Sequence, residues 1–219
     1  EVGHNAIGAG RIFAQGAKLV NQALDTRNLY DSDVWKEAIK HGSARTMHFI
    51  GLHSDGNVHS HIDHLHQMIS QAIAEGVNNI YLHVLLDGRD TPPRSALEYI
   101  GKTESFIERM NDSSNVNIRI ASGGGRMTIT MDRYEADWSM VKRGYDCHVH
   151  GIGRTFNSAK TAIETLYSET DLGDQYLEPF VITDAEGEPI GKIQEGDSVV
   201  FFNFRGDRAI EISQAFEEE

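Results

Sequence analysis

The amino-acid sequence predicts an α/β fold with a mixed, mostly parallel sheet, flanking helices and a late β-hairpin. Short apolar segments that suit buried strands alternate with longer segments of helical periodicity along most of the chain. This alternation is typical of parallel strands joined by crossover helices. The same pattern leaves open whether the sheet closes into a barrel-like form.

The individual elements follow from hydrophobic periodicity and from residues that begin or end helices. Strands are predicted over residues 46–53, 79–86, 116–120, 147–151 and 198–204, with a hairpin over 180–193 that turns at Glu186-Gly187. Helices are predicted over 59–75, 95–110, 134–142 and 158–167, and from 209 onward. Gly76 ends the helix over 59–75, and Ser95 with Glu98 forms a capping-box pair at the start of the helix over 95–110.

Composition excludes several classes of protein. The 219 residues are 39% hydrophobic, which suits one core of ordinary size, and no run of about 18 apolar residues indicates a membrane span. The net charge of −13 disfavours nucleic-acid binding, which needs clustered positive charge. Cys147 is the only cysteine, and we expect an inert buried thiol. Without a disulfide or a signal peptide, the protein is predicted to be cytoplasmic.

Arginines are concentrated in the loops that follow the predicted strands. Six of the 13 arginines lie there: Arg89, Arg94, Arg126, Arg133, Arg205 and Arg208. Ligands of open α/β sheets bind at the carboxyl ends of the strands, and guanidinium groups bind phosphate and carboxylate through paired hydrogen bonds. We therefore expect a small anion, such as a molecule with both a phosphate and a carboxylate, to bind these loops. The alternative is that some of the arginines pair with the 33 acidic residues.

Asp90 lies directly after Arg89 in one of these loops. A carboxylate beside a cationic site stays ionised at neutral pH, because nearby positive charge favours the charged form. Asp90 is thus a candidate proton acceptor for a hydroxyl group of the bound molecule. The alternative is an aspartate that only shapes a turn rich in glycine and proline.

A second hypothesis rests on five histidines within 14 residues, namely His53, His59, His61, His64 and His66. It describes a non-catalytic metal- or anion-binding module, in which His61 and His64, or His148 and His150, share a metal. No accompanying set of cysteine or carboxylate ligands supports a metal site, so we expect none in this chain. His59 is instead predicted at a helix N-terminus, where backbone N–H groups attract anions.

Several segments together carry a family resemblance. They are GLHSDGNVHSHIDHL at 51–65, LLDGRDTPP at 85–93, SGGGR and MDRYEADW within 122–138, FFNFRGDRAIEIS at 201–213, and EVGHNAIGAGRI at 1–12. In these segments the sequence resembles the cofactor-independent phosphoglycerate mutases. The similarity covers nearly the whole chain in order. The sequence over 123–138 and 205–213 is most similar to that of the plant and trypanosomatid members.

The resemblance implies the inserted substrate-binding, or phosphotransferase, domain of an isomerase that interconverts 3-phosphoglycerate and 2-phosphoglycerate in glycolysis and gluconeogenesis. His59 matches a histidine at the substrate phosphate. Arg89 and Asp90 match a pair at the glycerate, where Asp90 relays the hydroxyl proton. The arginines that match those holding carboxylate and phosphate are Arg126, Arg133, Arg205 and Arg208.

The resemblance also implies a second domain of alkaline-phosphatase type. That domain carries a phosphoryl-accepting serine and a divalent metal, either manganese or else magnesium or cobalt. We expect the serine directly before Glu1 and most metal ligands beyond Glu219, so this chain alone is expected to be inactive and to bind no cofactor. Residues 13–212 then form the substrate-binding domain, and residues 1–12 and 213–219 are linkers that close the two domains of a monomeric enzyme over substrate.

Overall fold

The computed structural model describes residues 2–11 and 16–218. Its helices are α1 (Val2–Ala9), α2 (Ala17–Asp25), α3 (Asn28–Asp31), α4 (Asp33–Ala44), α5 (Ile62–Ala74), α6 (Ala96–Ser113), α7 (Trp138–Tyr145), α8 (Ala159–Glu169) and α9 (Ile210–Glu217). Its strands are β1 (Met47–Leu52), β2 (Asn79–Leu86), β3 (Asn117–Gly125), β4 (Arg154–Phe156), β5 (Phe180–Ile182) and β6 (Ser198–Phe201). Shorter turns of helix are a π-helical turn at Asp146–His150 and 3-10 turns at Asp174–Tyr176 and Gly206–Arg208.

The strands form one open sheet in the order β4-β5-β3-β2-β1-β6. β1 pairs in parallel with both β2 and β6, and β2 pairs in parallel with β3, whereas β5 is antiparallel to β3. The edge strands β4 and β6 have three and four residues and lie at opposite ends of this order, so they offer too little ladder to close a barrel. The mixed, mostly parallel sheet is confirmed, and the barrel-like form is not found.

The two faces of the sheet bury cores of different size. Strand side chains alternate between faces, so Phe49 joins the larger core while its neighbour Ile50 joins the smaller one. The larger core also contains Trp35 of α4 and Ile163 of α8. The smaller core, under the π-helical turn and α9, is built around Ile50, Leu52, Leu85, Ile129, Met131 and Ile193.

Most predicted strands and helices are confirmed to within a few residues. β2 has the predicted bounds, β1 lies within 46–53, and α8 and α9 begin one residue after the predicted helix starts. Gly76 follows α5 with φ of 96°, a left-handed conformation that suits glycine at a helix end. No element is predicted before residue 46, yet α2, α3 and α4 form there and contribute buried side chains to the larger core.

Two predicted helix starts are wrong. α5 begins at Ile62, where the Nδ1 atom of His61 accepts a hydrogen bond from the Asp63 backbone N–H. His59 therefore lies before the helix and not at its N-terminus. α7 begins only at Trp138, because Tyr134 and Glu135 have φ values of 62° and 54° and cannot belong to a right-handed helix.

The predicted strand at 147–151 is also wrong. Cys147 and His148 are both buried, so burial does not alternate as it does in a half-exposed strand. Asp146 keeps helical dihedral angles at the end of α7, and the chain continues as a π-helical turn until Gly151, whose φ is 68°. The Cys147 thiol is buried and its pKa is raised to about 12 by burial, in line with an inert thiol.

The predicted hairpin over 180–193 is present only in part. Asp184 Oδ1 accepts hydrogen bonds from the backbone N–H groups of Glu186 and Glu188, and Gly187 has φ of 89° in the turn. The returning arm makes a single antiparallel bridge, between Thr183 and Pro189. Proline lacks an N–H donor, which stops a second strand from extending there.

The N-terminus of α6 is capped by a distant carboxylate. Asp174 Oδ2 accepts hydrogen bonds from the backbone N–H groups of Ser95 and Ala96, at 2.8 and 2.9 Å. Ser95 Oγ instead donates to the Pro92 carbonyl at 2.8 Å, so the predicted capping box with Glu98 is not formed. A tertiary contact thus replaces the local one that the sequence pattern indicates.

We expect Asp174→Ala to lower the free energy of unfolding by about 1–2 kcal/mol, because two helix N–H groups lose their acceptor. Ser95→Ala is the matched control, with an expected change within about 0.5 kcal/mol. Urea denaturation of both variants measures the difference. A larger loss of stability for Ser95→Ala than for Asp174→Ala would show that Ser95, and not Asp174, caps the N-terminus of α6.

Among residues 2–11 and 16–218, none of the helices combines the length and the hydropathy of a transmembrane segment.

Candidate anion-binding site

The loops that carry the predicted site follow β1, β2, β3 and β6. These strands are consecutive in the sheet order and mutually parallel, so their carboxyl ends lie along one edge. The edge therefore brings together loops that are up to about 150 residues apart in sequence, as in the hydrogen bond from the Leu52 N–H to Asn203 Oδ1. The predicted convergence of these four loops is observed.

Asp87 is the centre of one half of the site, although it was not among the predicted residues. Its carboxylate is buried and accepts the Ser54 hydroxyl at 2.6 Å through Oδ2. Oδ1 accepts the backbone N–H groups of Arg89 and Asp90, at 3.2 and 3.0 Å. Asp87 thereby shapes the loop after β2 from within and orients Asp90 toward Arg126.

Arg126 joins this loop to the end of β3. The residue is 1% exposed, and its Nη1 atom donates to Asp87 Oδ1 at 2.9 Å and to Asp90 Oδ2 at 2.6 Å. Gly56 packs against the same group, since a Cβ there would lie 2.9 Å from the Asp90 Cβ. Position 56 in the loop after β1 is therefore glycine, because Asp87 and Asp90 approach it too closely for a side chain.

Asp207 is the centre of the other half of the site, and it was also missed. One carboxylate oxygen lies 3.0 Å from Arg205 Nη2 and 3.6 Å from Arg133 Nη1. The other lies 3.7 Å from His59 Nδ1. The signal for both missed aspartates is present in the sequence, where Asp87-Gly88-Arg89-Asp90 and Arg205-Gly206-Asp207-Arg208 alternate acid and base.

Arg208 is a buried cation among other cations. Its Nη1 atom donates to the Met131 carbonyl at 2.6 Å, its one hydrogen bond within the part of the chain that the structure describes. Burial, and then the neighbouring Arg133 and Arg126, lower the pKa of Arg208, while Asp207 acts in the opposite direction. A bound anion would relieve this mutual repulsion, because opposite charge favours the charged guanidinium.

His59 faces both halves of the site. Burial lowers its pKa to about 4, Arg126 and Arg205 act in the same direction, and Asp207 opposes them. The imidazole is therefore neutral at pH 7 and has one N–H to donate to an oxygen of a ligand. Its carbonyl accepts the Phe204 N–H at 2.8 Å, which ties the loop after β1 to the loop after β6.

The remaining two arginines differ in placement. Arg89 is exposed at the rim and close enough to Arg208 to affect its pKa. Arg94 points away from the site, donating to the carbonyls of Tyr167 and Thr170 with its guanidinium 4.2 Å from the Tyr167 ring. The expectation of six convergent arginines thus holds for five.

Both interpretations of these arginines are partly correct. Arg126, Arg133 and Arg205 pair with aspartates, as the alternative holds. The aspartates, however, lie in the same four loops and gather the arginines at one place. The acidic partners therefore organise a cationic site and do not disperse it over the surface.

Three of the clustered histidines make hydrogen bonds to side chains of other helices. His53 Nε2 and His66 Nε2 both contact Thr103 Oγ1, at 2.8 and 3.0 Å, and His64 Nε2 lies 2.5 Å from Asn21 Oδ1. Among residues 2–11 and 16–218, no three His, Cys, Asp or Glu side chains are grouped so that they could hold a metal ion. The described residues therefore provide the second hypothesis with no three-ligand metal site.

The fold and the site define a class: an α/β domain with a cluster of arginines and one neutral histidine at the carboxyl edge of its sheet. Residues 20–219 match the model of the family described as BPG-independent PGAM N-terminus. The chain belongs to this family, the N-terminal part of the 2,3-bisphosphoglycerate-independent phosphoglycerate mutases.

Individual relatives agree with this assignment. A probable 2,3-bisphosphoglycerate-independent phosphoglycerate mutase of Leptospira interrogans is 60% identical over all of this chain and 40% of its own length. The mutase of Trypanosoma brucei brucei is 48% identical over all of this chain and 40% of its own length, and that of Prunus dulcis is 49% identical over 99% and 44%. The predicted likeness to plant and trypanosomatid members is confirmed.

A solved structure shares the fold closely. Phosphoglycerate mutase of Leishmania mexicana, studied at low cobalt concentration, superposes with a TM-score of 0.96 at 43% identity, over 99% of this chain and 40% of that chain. The chain thus spans about two fifths of the length of the relatives that it matches.

Proposed function

We propose that this chain is the substrate-binding domain of a phosphoglycerate mutase that interconverts 3-phosphoglycerate and 2-phosphoglycerate. The observation that carries the proposal is the convergence of five arginines and the neutral His59 around Asp90 and Asp207. Phosphoglycerate carries a phosphate and a carboxylate, and several guanidinium groups at fixed positions can bind both. Family membership supports the same substrate.

Each site residue has a role in this proposal. His59 donates its N–H to the substrate phosphate, and Arg89 binds the glycerate at the rim. Asp90, which is half-buried and oriented by Arg126, accepts the proton of the glycerate hydroxyl. The phosphate and carboxylate are bound by Arg126, Arg133, Arg205 and Arg208.

The covalent chemistry belongs to another part of the full-length protein in this proposal. The relatives are about two and a half times as long as this chain, and we assign to their remaining length the phosphoryl-accepting serine and the divalent metal, manganese or else magnesium or cobalt. Residues 13–212 are the substrate-binding domain, and 1–12 and 213–219 are hinges between the domains of a monomeric, cytoplasmic enzyme. Of these hinge ranges, Glu1, Ile12 and Glu219 lie outside the described residues.

Calorimetric titration of this chain with 3-phosphoglycerate tests the proposal. Arg205→Ala and Arg133→Ala are each expected to weaken binding about 10-fold, since a charge-assisted hydrogen bond to an anion is lost. Arg94→Ala is the matched control, because Arg94 points away from the site, and it is expected to bind as the unaltered chain does. The chain alone is expected to show no interconversion of the two phosphoglycerates.

Equal weakening by Arg94→Ala and Arg205→Ala would show that general charge and not this site binds the ligand. Measurable mutase activity of the chain alone would contradict the assignment of the phosphoryl-accepting serine and the metal to another part of the protein.

A further inference from the structure

A chain of buried hydrogen bonds crosses the sheet outside the anion-binding site. His48 of β1, His83 of β2, Ser122 of β3 and His148 of the π-helical turn follow one another, with contacts of 3.0, 2.7 and 2.9 Å. His148 Nε2 then lies 3.0 Å from Thr130 Oγ1. All five residues are at most 2% exposed. None of them has a role in the function proposed above.

The direction of each hydrogen bond in this series follows from the contact between His48 and Asp197. His48 Nε2 lies 3.2 Å from Asp197 Oδ2, and a carboxylate only accepts, so His48 donates there. Burial lowers the pKa values of all three histidines, which are therefore neutral and have one donor and one acceptor nitrogen each.

Each link then has a single possible direction. His83 Nε2 donates to His48 Nδ1, the Ser122 hydroxyl donates to His83 Nδ1, and His148 Nδ1 donates to Ser122 Oγ. The last step leaves His148 Nε2 as an acceptor, so the Thr130 hydroxyl donates to it. One set of tautomers satisfies every hydrogen bond from His48 to Thr130, and the last donor in this series is Thr130.

Thr130 has a backbone conformation that needs such support. Its φ is 67°, a left-handed value that is unfavourable for a β-branched residue. The Thr130 N–H donates to the Met140 carbonyl at 3.1 Å, and a Cβ at Gly144 would overlap Thr130 Oγ1. Contacts from α7 and from His148 therefore hold Thr130 on both its backbone and its side chain.

The residues after Thr130 reach the anion-binding site. The carbonyl of the next residue, Met131, accepts the 2.6 Å hydrogen bond from the buried Arg208. Two residues further, Arg133 lies 3.6 Å from Asp207. A rotation of the Thr130 backbone would move the Met131 carbonyl and so the acceptor that orients Arg208.

We propose that Thr130, held by His148 at the end of this hydrogen-bonded chain, is a positioning residue for Arg208 and Arg133. The identity of the bound anion rests on the function proposed above, whereas the positioning of Arg208 does not. The buried histidines thereby connect the interior of the sheet to the geometry of its ligand-binding edge.

Thr130→Val tests the proposal, because valine keeps the branched shape and removes only the hydroxyl donor. Thr130→Ser keeps the donor and is the conservative rescue. Ile163→Val is the control for stability, since it shortens a fully buried side chain of α8 in the larger core. Melting temperatures, proton exchange of the Arg208 guanidinium by NMR, histidine ¹⁵N shifts and affinity for 3-phosphoglycerate are measured for all four proteins.

In Thr130→Val, we expect Arg208 guanidinium protons to exchange at least about 10-fold faster and affinity for 3-phosphoglycerate to fall about 10-fold. The Nε2 shift of His148 is expected to change, because the nitrogen loses its donor. Thr130→Ser and Ile163→Val are expected to stay within about 2-fold of the unaltered chain in exchange and affinity.

Unchanged Arg208 exchange in a folded Thr130→Val variant would overturn the proposal, whatever its melting temperature. Should that variant not fold, Ser122→Ala decides by the same measurements, since it removes the acceptor of His148 Nδ1 and leaves Thr130 in place. If the unaltered chain does not bind 3-phosphoglycerate, the proposed function fails, while the exchange of Arg208 still decides the positioning role.

Discussion

Arg126→Ala is expected to lower the free energy of unfolding by about 3–5 kcal/mol, because it leaves buried charge without a counter-ion. The guanidinium is 1% exposed and donates to both Asp87 and Asp90. Without it, two carboxylates that lie about 3 Å from the same nitrogen repel each other in a poorly solvated place. The same variant is expected to lose detectable binding of 3-phosphoglycerate.

Urea denaturation at pH 7 measures this loss, with Arg94→Ala as the matched control. Arg94 is exposed, and its replacement is expected to change the free energy of unfolding by less than about 1 kcal/mol. The double variant Asp87→Asn, Asp90→Asn in the Arg126→Ala background is expected to recover part of the loss, since the uncompensated charges are then removed. A loss for Arg126→Ala no greater than for Arg94→Ala would show that the two carboxylates are better solvated than their burial indicates.

Mild acid is expected to destabilise the fold strongly. Burial lowers the pKa values of His53 and His148 to about 3, and it also lowers that of His83. A histidine whose pKa is lower in the folded state than its ordinary value of 6.5 contributes full stability above pH 6.5, and that stability is lost as the pH falls toward the folded value. For each such group, every pH unit of acidification in this window lowers the free energy of unfolding by about 1.4 kcal/mol. His53 and His148 together therefore lower it by about 3 kcal/mol per pH unit between pH 6 and 4.

Two acidic groups act in the opposite direction. Burial raises the pKa values of Asp174 and Glu104, so their protonation on acidification favours the folded state. Denaturation curves at pH 7, 6 and 5 are expected to show a steep net loss of stability all the same. His148→Gln is expected to reduce the slope by about 1.4 kcal/mol per pH unit, whereas the exposed His41→Asn serves as control. Equal stability at pH 7 and pH 5 would contradict the burial of neutral histidines.

Local pattern was a good guide to the elements of the sheet. The bounds of β2 and the start of α8 follow from continuous apolar runs and helical spacing, because parallel strands are buried on both faces. Errors occur where a tertiary contact replaces a local one. Asp174 caps α6 from 78 residues away in place of Ser95, and the strained Tyr134 and Glu135 delay α7.

The same division holds for the candidate site. The loops that carry it could be predicted, since ligands bind beyond the carboxyl ends of parallel strands. The pairing between loops could not. Asp207 lies close to Arg205 of its own loop, but it also approaches His59 after β1 and Arg133 after β3, and only the strand order brings those two residues to it. Arg94 differs from the other arginines for the same reason, because the Tyr167 ring and nearby carbonyls lie within its reach.

By itself, the sequence determined the fold class, the family and the loops that form the arginine-rich candidate site, because these depend on periodicity and on residue types at short spacing. Only the tertiary structure decided which aspartates organise the arginines, that His59 is neutral and precedes its helix, and that five buried residues form one hydrogen-bonded chain ending at Thr130. Burial and through-space distance set these properties, and neither is encoded in any single segment of the chain.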